Sequence, residues 1–289
     1  MTNMNTISFK YLLNLFVLSL LLQSCESNNQ EENSYSFFVA GHTYGNPNAK
    51  NLGLYPPFVA KFDGLNQQDK LQLGILTGDI VRAANEKSWI AVWEELRNLN
   101  AKIHIAGGNH DVSNKQLFKK YVPESYYAFQ QNEDLFLILD PNIDHWNISE
   151  EQLIFFKEQI LNAHKYRHIF MFAHQLIWWQ EDAKWATCQP NSFQNKSDTL
   201  NFQSEILPLL ESVENQVFLF AGDVGAVPNS PAICYLKKGN VSMIASGMGV
   251  DAKDNFLLVK VGKNEEIEIE LVGLKNKDIG RLEDYLKEI

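Results

Sequence analysis

The segment KIHIAGGNHD, from Lys102 to Asp111, decides the fold. Its first five residues are largely apolar, and two glycines and three polar residues follow them directly. A run of this length predicts a buried strand, and the glycines allow the chain to turn sharply at its end. In layered sheet proteins, functional side chains lie in loops just past the carboxyl ends of strands, where the scaffold is rigid. We therefore predict a strand that ends in a site containing Asn109, His110 and Asp111.

The same arrangement recurs along the chain. The other predicted buried strands are Ser36–Ala40, Leu71–Thr77, His168–Ala173, Val217–Ala221 and Val241–Ser246. The polar clusters that follow them are Gly41–Gly45, Gly78–Asp79, His174–Gln175 and Gly222–Asp223. With the segment after Lys102–Ala106, five strand ends are predicted to converge on one site.

Helical periodicities lie between these strands and predict an α/β protein with sheets inside and helices outside. One is formed by Trp89, Val92, Trp93, Leu96 and Leu99, and another by Leu153, Phe156 and Ile160. Ser149 and Gln152 are spaced as a capping box at the start of the second helix. Towards the end we predict consecutive strands and then a last helix from about Ile279; these strands are Ile233–Lys237, Val241–Ser246, Asn255–Val261 and Glu266–Leu271.

The order of the motifs resembles the calcineurin-like metallophosphoesterase family. A strand followed by Gly78-Asp79, a strand followed by Gly-Asn109-His110-Asp111, and a strand ending in His174 occur in the family's order. Leu139-Asp140 and the segment Ile148–Leu153 also resemble the region between the third and fourth family motifs. The resemblance covers about Phe37 to Leu271 and implies a four-layer αββα sandwich and hydrolysis of phosphoesters with two divalent metals.

The resemblance implies a well-preserved second metal position. Asp79 matches the carboxylate shared by both metals, Asn109 the amide ligand and His174 the imidazole ligand. Where the family usually has Gly-His-x-His, this chain has Gly-Asp223-Val-Gly225, and Asp223 can still coordinate a metal. One nitrogen and several oxygen donors suit manganese, iron(II), magnesium or zinc. Asp223 between two nearby glycines is also a common turn residue, and that interpretation remains open.

The first metal position departs from the family pattern. Its usual Asp-x-His motif is His42-Thr43-Tyr44 here, and its last histidine is replaced by Gly225, which offers no ligand. Histidine binds metals commonly and tyrosinate can do so, so His42 and Tyr44 form either an altered site or no site. We expect one divalent metal, with two possible.

The resemblance also implies catalytic residues. His110 matches the histidine that approaches the phosphate and protonates the leaving oxygen, and Asp111 matches the residue that orients it. Arg82, three residues past Asp79, is expected to form a salt bridge on the following loop; contact with a substrate phosphate is the alternative. We expect Trp178, Trp179 and Trp185 to pack the loop Gln180–Asp198, which has the length of a lid or specificity insert; lining the cleft is the alternative.

The N-terminal segment predicts an exported lipoprotein. Lys10 precedes the apolar run Tyr11–Leu22, which is too short to span a membrane but suits a signal peptide. Leu22–Cys25 resembles a lipobox, so we predict a signal peptide over residues 1–24, a lipidated tether over residues 25–34 and one folded domain over residues 35–289. The alternatives are an ordinary secretory signal or a buried helix. The lipid on Cys25 would hold the protein at the bacterial cell envelope, on the outer membrane or periplasmic side.

The amino-acid composition limits the classes of binding partner. The 25 basic and 35 acidic residues give a net charge of −10, and no basic run is present that could track a long nucleic acid. A phosphorylated small molecule or glycan is the expected substrate. Export permits a disulfide between Cys188 and Cys234, although sequence does not show whether they meet. We predict a phosphomonoesterase or phosphodiesterase; the rival is a relative without turnover that binds a phosphorylated ligand or a protein.

Overall fold

Twelve strands within the described residues form two sheets. The computed structural model describes residues 34–264, 266–275 and 278–289. The strands are β1 (Tyr35–Gly41), β2 (Leu71–Thr77), β3 (Lys102–Ala106), β4 (Tyr127–Gln131), β5 (Asp134–Ile138), β6 (His168–Phe172), β7 (Gln216–Ala221), β8 (Ile233–Lys238), β9 (Val241–Ser246), β10 (Asn255–Val261), β11 (Ile267–Gly273) and β12 (Leu286–Glu288).

Helices connect the strands of both sheets. The α-helices are α1 (Pro56–Val59), α2 (Phe62–Asn66), α3 (Glu86–Leu96), α4 (Lys115–Tyr121), α5 (Glu150–Leu161) and α6 (Leu207–Glu211). Single 3₁₀ turns span Asp111–Asn114, Ala163–Lys165 and Leu282–Tyr285, and a π-helical turn spans Phe202–Ile206. Within the described ranges, every helix is too short or too polar to cross a bilayer.

The sheets are mixed, with parallel strands at their centres. The first has the order β11-β10-β1-β2-β3, in which β1, β2 and β3 are parallel and β10 and β11 are antiparallel to their neighbours. The second has the order β12-β8-β9-β7-β6-β5-β4, in which β5, β6, β7 and β9 are parallel. Parallel neighbours place their carboxyl ends at the same edge of a sheet, and the loops predicted to be functional leave from there.

Side-chain alternation along the strands builds the layers. In β1, Phe37 and Val39 belong to the core between the two sheets, together with Phe170 and Phe220 of the second sheet. The alternate residues of β1 include Phe38, which packs on the outer face of the first sheet beneath α1 to α4. A third core lies between the second sheet and α5 and α6. Three cores between four layers confirm the predicted αββα sandwich.

Glycines let the two sheets approach each other beneath the site. A Cβ on Gly41 at the end of β1 would overlap the Ser246 carbonyl oxygen and the Gly222 Cα. One on Gly222, just after β7, would overlap the Thr77 carbonyl oxygen. The backbones at the ends of β1, β2, β7 and β9 therefore meet directly, and the loops after them share a small volume.

Two local predictions were wrong, and one hairpin was missed. The segment after Ile279 forms a 3₁₀ turn and then β12, because its backbone pairs with the edge strand β8. Helix α5 begins after Ser149 as predicted, but the Ser149 hydroxyl makes no capping bond, and Gln152 bonds both main-chain groups of Asp140 instead. The hairpin β4–β5 was not predicted. The signal peptide and Cys25 lie outside the described residues, as does all but the last residue of the tether.

Candidate metal centre

Asp79 stands at the centre of the site on a strained turn after β2. Gly78 and Asp79 have φ of +80° and +52°, so two successive residues adopt the left-handed conformation. A Cβ on Gly78 would lie 2.5 Å from ring atoms of His174, so only glycine fits there. Left-handed backbone at a non-glycine residue costs about 1–3 kcal/mol and concentrates at functional sites. The turn directs the buried Asp79 carboxylate at two histidines.

One Asp79 oxygen faces His174 and Asp223. The distance from His174 Nε2 is 3.4 Å to Asp79 Oδ1 and 3.8 Å to Asp223 Oδ1. One ligand atom from each of the three buried residues lies within 4.8 Å of the others, a candidate metal-binding triad. His174 Nδ1 lies 2.9 Å from the Thr77 carbonyl oxygen, which can only accept, so Nδ1 carries the hydrogen. In its neutral form the ring therefore presents the Nε2 lone pair to both carboxylates, as metal-ligating histidines do.

The charges of this triad fit a cation. His174 Nε2 is buried and has no hydrogen-bond partner in the described part of the chain. Burial, together with the nearby Asp79 carboxylate, raises the pKa of Asp223 to about 7, although His174 opposes the shift. Burial would also raise the pKa of Asp79, but the neighbouring histidines outweigh it and hold this pKa below its usual value. Burial alone would lower the pKa of His174, but the Asp79 and Asp223 carboxylates raise it. The buried triad therefore favours a positive charge at its centre, supplied either by a proton on His174 or by a metal cation.

The other Asp79 oxygen faces His42. His42 Nε2 lies 3.5 Å from Asp79 Oδ2, and its Nδ1 lies 3.1 Å from the Met248 carbonyl oxygen. Burial lowers the pKa of His42 to about 4, so this imidazole is neutral above pH 5. Like His174, it directs a lone pair at Asp79. The two oxygens of one carboxylate thus face two different histidines.

The comparisons agree with this geometry. The sequence model of the family described as calcineurin-like phosphoesterase matches residues 42–247. The chain belongs to the calcineurin-like phosphoesterase family. No curated protein matches its sequence significantly. The family consists of phosphoesterases, and metallophosphoesterases use divalent metals.

Two solved structures illustrate the likeness. Purple acid phosphatase PPD1 from yellow lupin (Lupinus luteus) seeds superposes with a TM-score of 0.60 and 11% identity, over 86% of this chain and 53% of that chain. A putative 5′-nucleotidase from Staphylococcus aureus gives a TM-score of 0.45 and 10% identity, over 87% and 56%. The chain spans about half the length of each. At this identity the lupin structure shows a shared fold.

Two features weaken the first metal position of the calcineurin-like pattern. Tyr44 is buried between the His42 and His110 rings, at centroid distances of 4.3 and 5.0 Å. Burial and the Asp79 carboxylate raise its pKa above the usual value, which disfavours a tyrosinate ligand. Gly225 has φ of +82°, and a Cβ there would lie 3.0 Å from the Ala232 Cβ. Ala232 therefore occupies space that a ligand side chain at position 225 would need.

His110 lies beside the centre, but Asp111 does not orient it. The His110 main-chain N–H donates to Asp79 Oδ1 at 3.1 Å, and its Nδ1 lies 2.7 Å from the Arg82 carbonyl oxygen. Asp111 instead accepts from the main-chain N–H groups of Ile80, Val81 and Gly108 and so joins the loops after β2 and β3. The expected contact was wrong because a main-chain carbonyl already holds the ring.

Asn109 and Arg82 are placed by the same loops. Asn109 follows Gly108, which packs against Asp79, and lines a cleft beside the centre. Arg82 makes no salt bridge among the described residues, contrary to expectation. Its guanidinium contacts the carbonyl oxygens of Ala49 and Asn46 and lies 5.8 Å from the Tyr44 ring centroid, so it fixes the loop after β1.

The loop Gln180–Asp198 borders the site at two places. Beside the centre, the Asn191 N–H donates to the Asp223 carbonyl oxygen at 2.8 Å, and a disulfide joins Cys188 to Cys234. At the far side, Trp146 Nε1 donates to the Gln194 carbonyl oxygen at 3.2 Å. The disulfide that the sequence left open is thus formed, and the position suits a specificity insert.

Two cleft residues were not predicted to have a role of their own, although Gln175 belongs to one of the polar clusters at the strand ends. Gln175 is 2% exposed, and its Nε2 donates to Asn142 Oδ1 at 2.6 Å. Both line the cleft with Asn109. The position of Gln175 directly after His174 was the only available signal, and nothing in the sequence marks Asn142. Trp178 and Trp179 are buried in the outer core of the second sheet, which supports the packing interpretation.

Proposed function

We propose that this protein is a metal-dependent phosphoester hydrolase that acts outside the inner membrane of a bacterium. One observation carries the proposal: the unpartnered Nε2 of His174 is buried 3.4 Å from Asp79 and 3.8 Å from Asp223. A structural histidine in such surroundings would normally have both ring nitrogens bonded. The family membership supplies the reaction class.

The residues have separable roles in this proposal. Asp79, His174 and Asp223 hold a divalent cation, with Asn109 as the fourth expected ligand, and the donor set fits manganese, iron(II), magnesium or zinc. Such a cation supplies positive charge that neutralises a phosphoryl group and acidifies water. His110 approaches the leaving oxygen. With Nδ1 held by the Arg82 carbonyl oxygen, Nε2 is the nitrogen that delivers the proton.

The protein is further proposed to be exported and held by a lipid on Cys25. The apolar run Tyr11–Leu22 and the lipobox-like Leu22–Cys25 support it, and the disulfide between Cys188 and Cys234 suits an oxidising compartment. Cys25→Ser should move the protein from the membrane to the soluble fraction. A mutant that stays with membranes would remove the anchor assignment.

The missing ligands at the first metal position favour a second candidate function, which is binding without turnover. Gly225 provides no ligand, Ala232 fills the space beside it, and His42 stands where the family has aspartate. A chain with this position lost would bind a phosphorylated ligand, or a protein partner at the envelope, without turnover. The cation at His174 would then serve recognition alone.

One experiment separates these functions. Purified protein is assayed for metal content and for hydrolysis of p-nitrophenyl phosphate and bis-p-nitrophenyl phosphate, before and after chelation. Asp79→Asn should remove both metal and turnover while the fold is kept, because the amide retains the shape but loses the charge. Asp63→Asn, on exposed helix α2, is the matched control. Bound metal without turnover would favour the binding protein, and unchanged metal affinity in Asp79→Asn would contradict the site.

A further inference from the structure

A cleft of about 370 Å³ lies beside the metal centre, within the usual size range of small-molecule sites. It extends from Asn109 and Gln175 to the loop Gln180–Asp198. Apolar side chains form part of its wall, and carboxamides are the commonest polar groups in it: Asn109, Asn142, Gln175, Gln194 and Asn195. Among the described lining residues, one is a lysine, Lys115, and no side chain is a carboxylate. The cleft therefore offers many hydrogen-bonding groups and little charge.

Gln175 has a free acceptor in this lining. The Asn142 amide donates to the Gly107 carbonyl oxygen and to Asp140 Oδ1, each at 2.8 Å. Its oxygen must then face Gln175, which fixes the Gln175 amide with Nε2 towards Asn142. Gln175 Oε1 is buried and has no partner in the described part of the chain. A buried acceptor without a donor is unfavourable, so a hydroxyl supplied from the cleft would satisfy it.

The opposite wall is held through its backbone. The carbonyl oxygens of Gln194 and Asn195 bond to Trp146 Nε1 and His145 Nδ1, at 3.2 and 3.1 Å. Gln194 and Asn195 are exposed, and their main chain is anchored by these bonds. Anchored carboxamides can meet a ligand without first ordering the loop, which favours binding.

The lining suits hydroxyl groups better than a nucleobase. A carboxamide presents a donor and an acceptor side by side, and a sugar hydroxyl is both donor and acceptor. Base recognition commonly adds stacking on an aromatic face. Two rings belong to this lining. Trp146 is only 3% exposed and stacks with Phe193, with ring centroids 6.2 Å apart. His145 is exposed, and its Nδ1 is bonded to the Asn195 carbonyl oxygen, so it offers a smaller face than an indole.

We propose that the cleft binds a neutral polyhydroxyl group, so that the ester hydrolysed at the metal centre is a sugar phosphate. The proposal rests on the proposed function and narrows its substrate class. The phosphate lies towards Asn109 and the metal ligands, and the sugar lies between Gln175 and the Gln194–Asn195 wall. Gln175 Oε1 accepts from a sugar hydroxyl.

The test compares three phosphomonoesters. The kcat/KM for glucose 1-phosphate should exceed that for adenosine 5′-monophosphate by at least about tenfold, the discrimination of one satisfied polar group. Gln175→Met should lower the ratio of kcat/KM for glucose 1-phosphate to that for p-nitrophenyl phosphate about tenfold. Gln116→Met, on the exposed face of α4, should leave that ratio unchanged. Gln194→Leu, at an exposed position, should also lower this ratio. It replaces Gln175→Met in the test if Gln175→Met does not fold.

Binding is measured separately from turnover. Calorimetry of chelated protein with glucose 1-phosphate should give a Kd at least about tenfold lower than with adenosine 5′-monophosphate, and Gln175→Met should remove the difference. If p-nitrophenyl phosphate is hydrolysed but glucose 1-phosphate is not preferred in either assay, the sugar proposal is overturned and the hydrolase stands. If nothing is hydrolysed, the hydrolase fails and the calorimetry alone decides whether the cleft binds sugar phosphates.

Discussion

The two sides of Asp79 present an unequal pair of metal positions. On the Oδ1 side, His174 and Asp223 converge and Asn109 is supplied by the adjoining loop. On the Oδ2 side, His42 directs its lone pair at the same carboxylate, but its neighbours are the buried phenol of Tyr44 and Gly225. A cation needs several donors aimed at one point, so a single well-oriented imidazole is insufficient. The two sides differ in the number of converging donors more than in the orientation of either histidine. The Oδ1 side is therefore the better side for a metal, and the Oδ2 side is the poorer one.

The largest expected effect comes from truncating one histidine on each side. His174→Ala should weaken metal binding by more than about 100-fold, because even partners behind the ligands are worth 10–100-fold. His42→Ala removes a donor from the poorer side and should weaken binding of the metal held by His174 and Asp223 less than about tenfold. Metal affinity by competition with a chromogenic chelator measures both. His164→Ala, remote from the centre at the Ala163–Lys165 turn, is the control.

A larger loss of metal affinity in His42→Ala than in His174→Ala would reverse the order of the two sides. If His42→Ala loses more affinity than His174→Ala, the principal metal lies on the His42 side. Equal losses would indicate two metals bound as one unit. Circular dichroism of each variant excludes unfolding as the cause.

Most residues on the better side of Asp79 could be predicted from the sequence, because local sequence patterns place them. Strand length and the glycine turns placed Asp79, Asn109, His174 and Asp223 at strand ends, and parallel strands bring such ends together. The poorer side depends on contacts across the chain. The packing of Ala232 against Gly225 and the Met248 carbonyl oxygen behind His42 join segments whose meeting no local pattern encodes.

Main-chain contacts also escaped prediction. The Arg82 carbonyl oxygen holds His110 where Asp111 was expected, and Arg82 itself contacts carbonyl oxygens rather than an acid. Every residue carries a carbonyl group, so the sequence gives no sign of which one is used. The C-terminal strand β12 was mistaken for a helix for a similar reason, since pairing with β8 decides it.

Metal stoichiometry sharpens the comparison next. Protein prepared with excess manganese, iron or zinc and then gel-filtered should retain about one equivalent, because the poorer side has few donors. A second cation would also be repelled by the first with less carboxylate compensation, since His42 replaces an aspartate. Elemental analysis measures the content. A stable two equivalents would show that His42 and Tyr44 are ligands.

A third experiment asks whether the poorer side can be repaired at position 225. Gly225→His should destabilise the fold by about 1–3 kcal/mol, because φ of +82° disfavours any side chain and Ala232 crowds the Cβ. It should not add a second metal equivalent. Urea unfolding and elemental analysis test both expectations. Gly239→His is the matched control: its φ is +57° and no atom of the described residues lies within 4 Å of a Cβ placed there, so it isolates backbone strain from crowding. A stable Gly225→His protein with two equivalents would refute the argument that Ala232 closes this side.

The smallest expected effect is the pH dependence of metal binding, which should come from the better side. Burial and Asp79 raise the pKa of Asp223 to about 7 in the metal-free protein, whereas a metal requires the ionised carboxylate. Above pH 7 the group is already ionised; below it a proton competes. Burial alone would lower the pKa of His174, but the Asp79 and Asp223 carboxylates raise it, so His174 must also lose a proton to bind metal. Affinity should therefore fall at least about tenfold from pH 8 to pH 6. His42, whose pKa burial lowers to about 4, is neutral throughout and adds no slope.

Asp223→Asn identifies the group responsible for that slope. Burial and Asp79 also raise the pKa of Asp111 to about 7, so two carboxyl groups could contribute near this pH. Of these two carboxyl groups, Asp223 must lose its proton to act as a ligand, whereas Asp111 is bonded to main-chain N–H groups. Asp223→Asn should thus bind metal more weakly and with a smaller pH slope, the remainder being due to His174, while Asp284→Asn, on the surface, keeps the full slope. Calorimetry in two buffers of different ionisation enthalpy counts the protons released. A full slope in Asp223→Asn would show that Asp223 does not titrate on metal binding and would remove it from the ligand set.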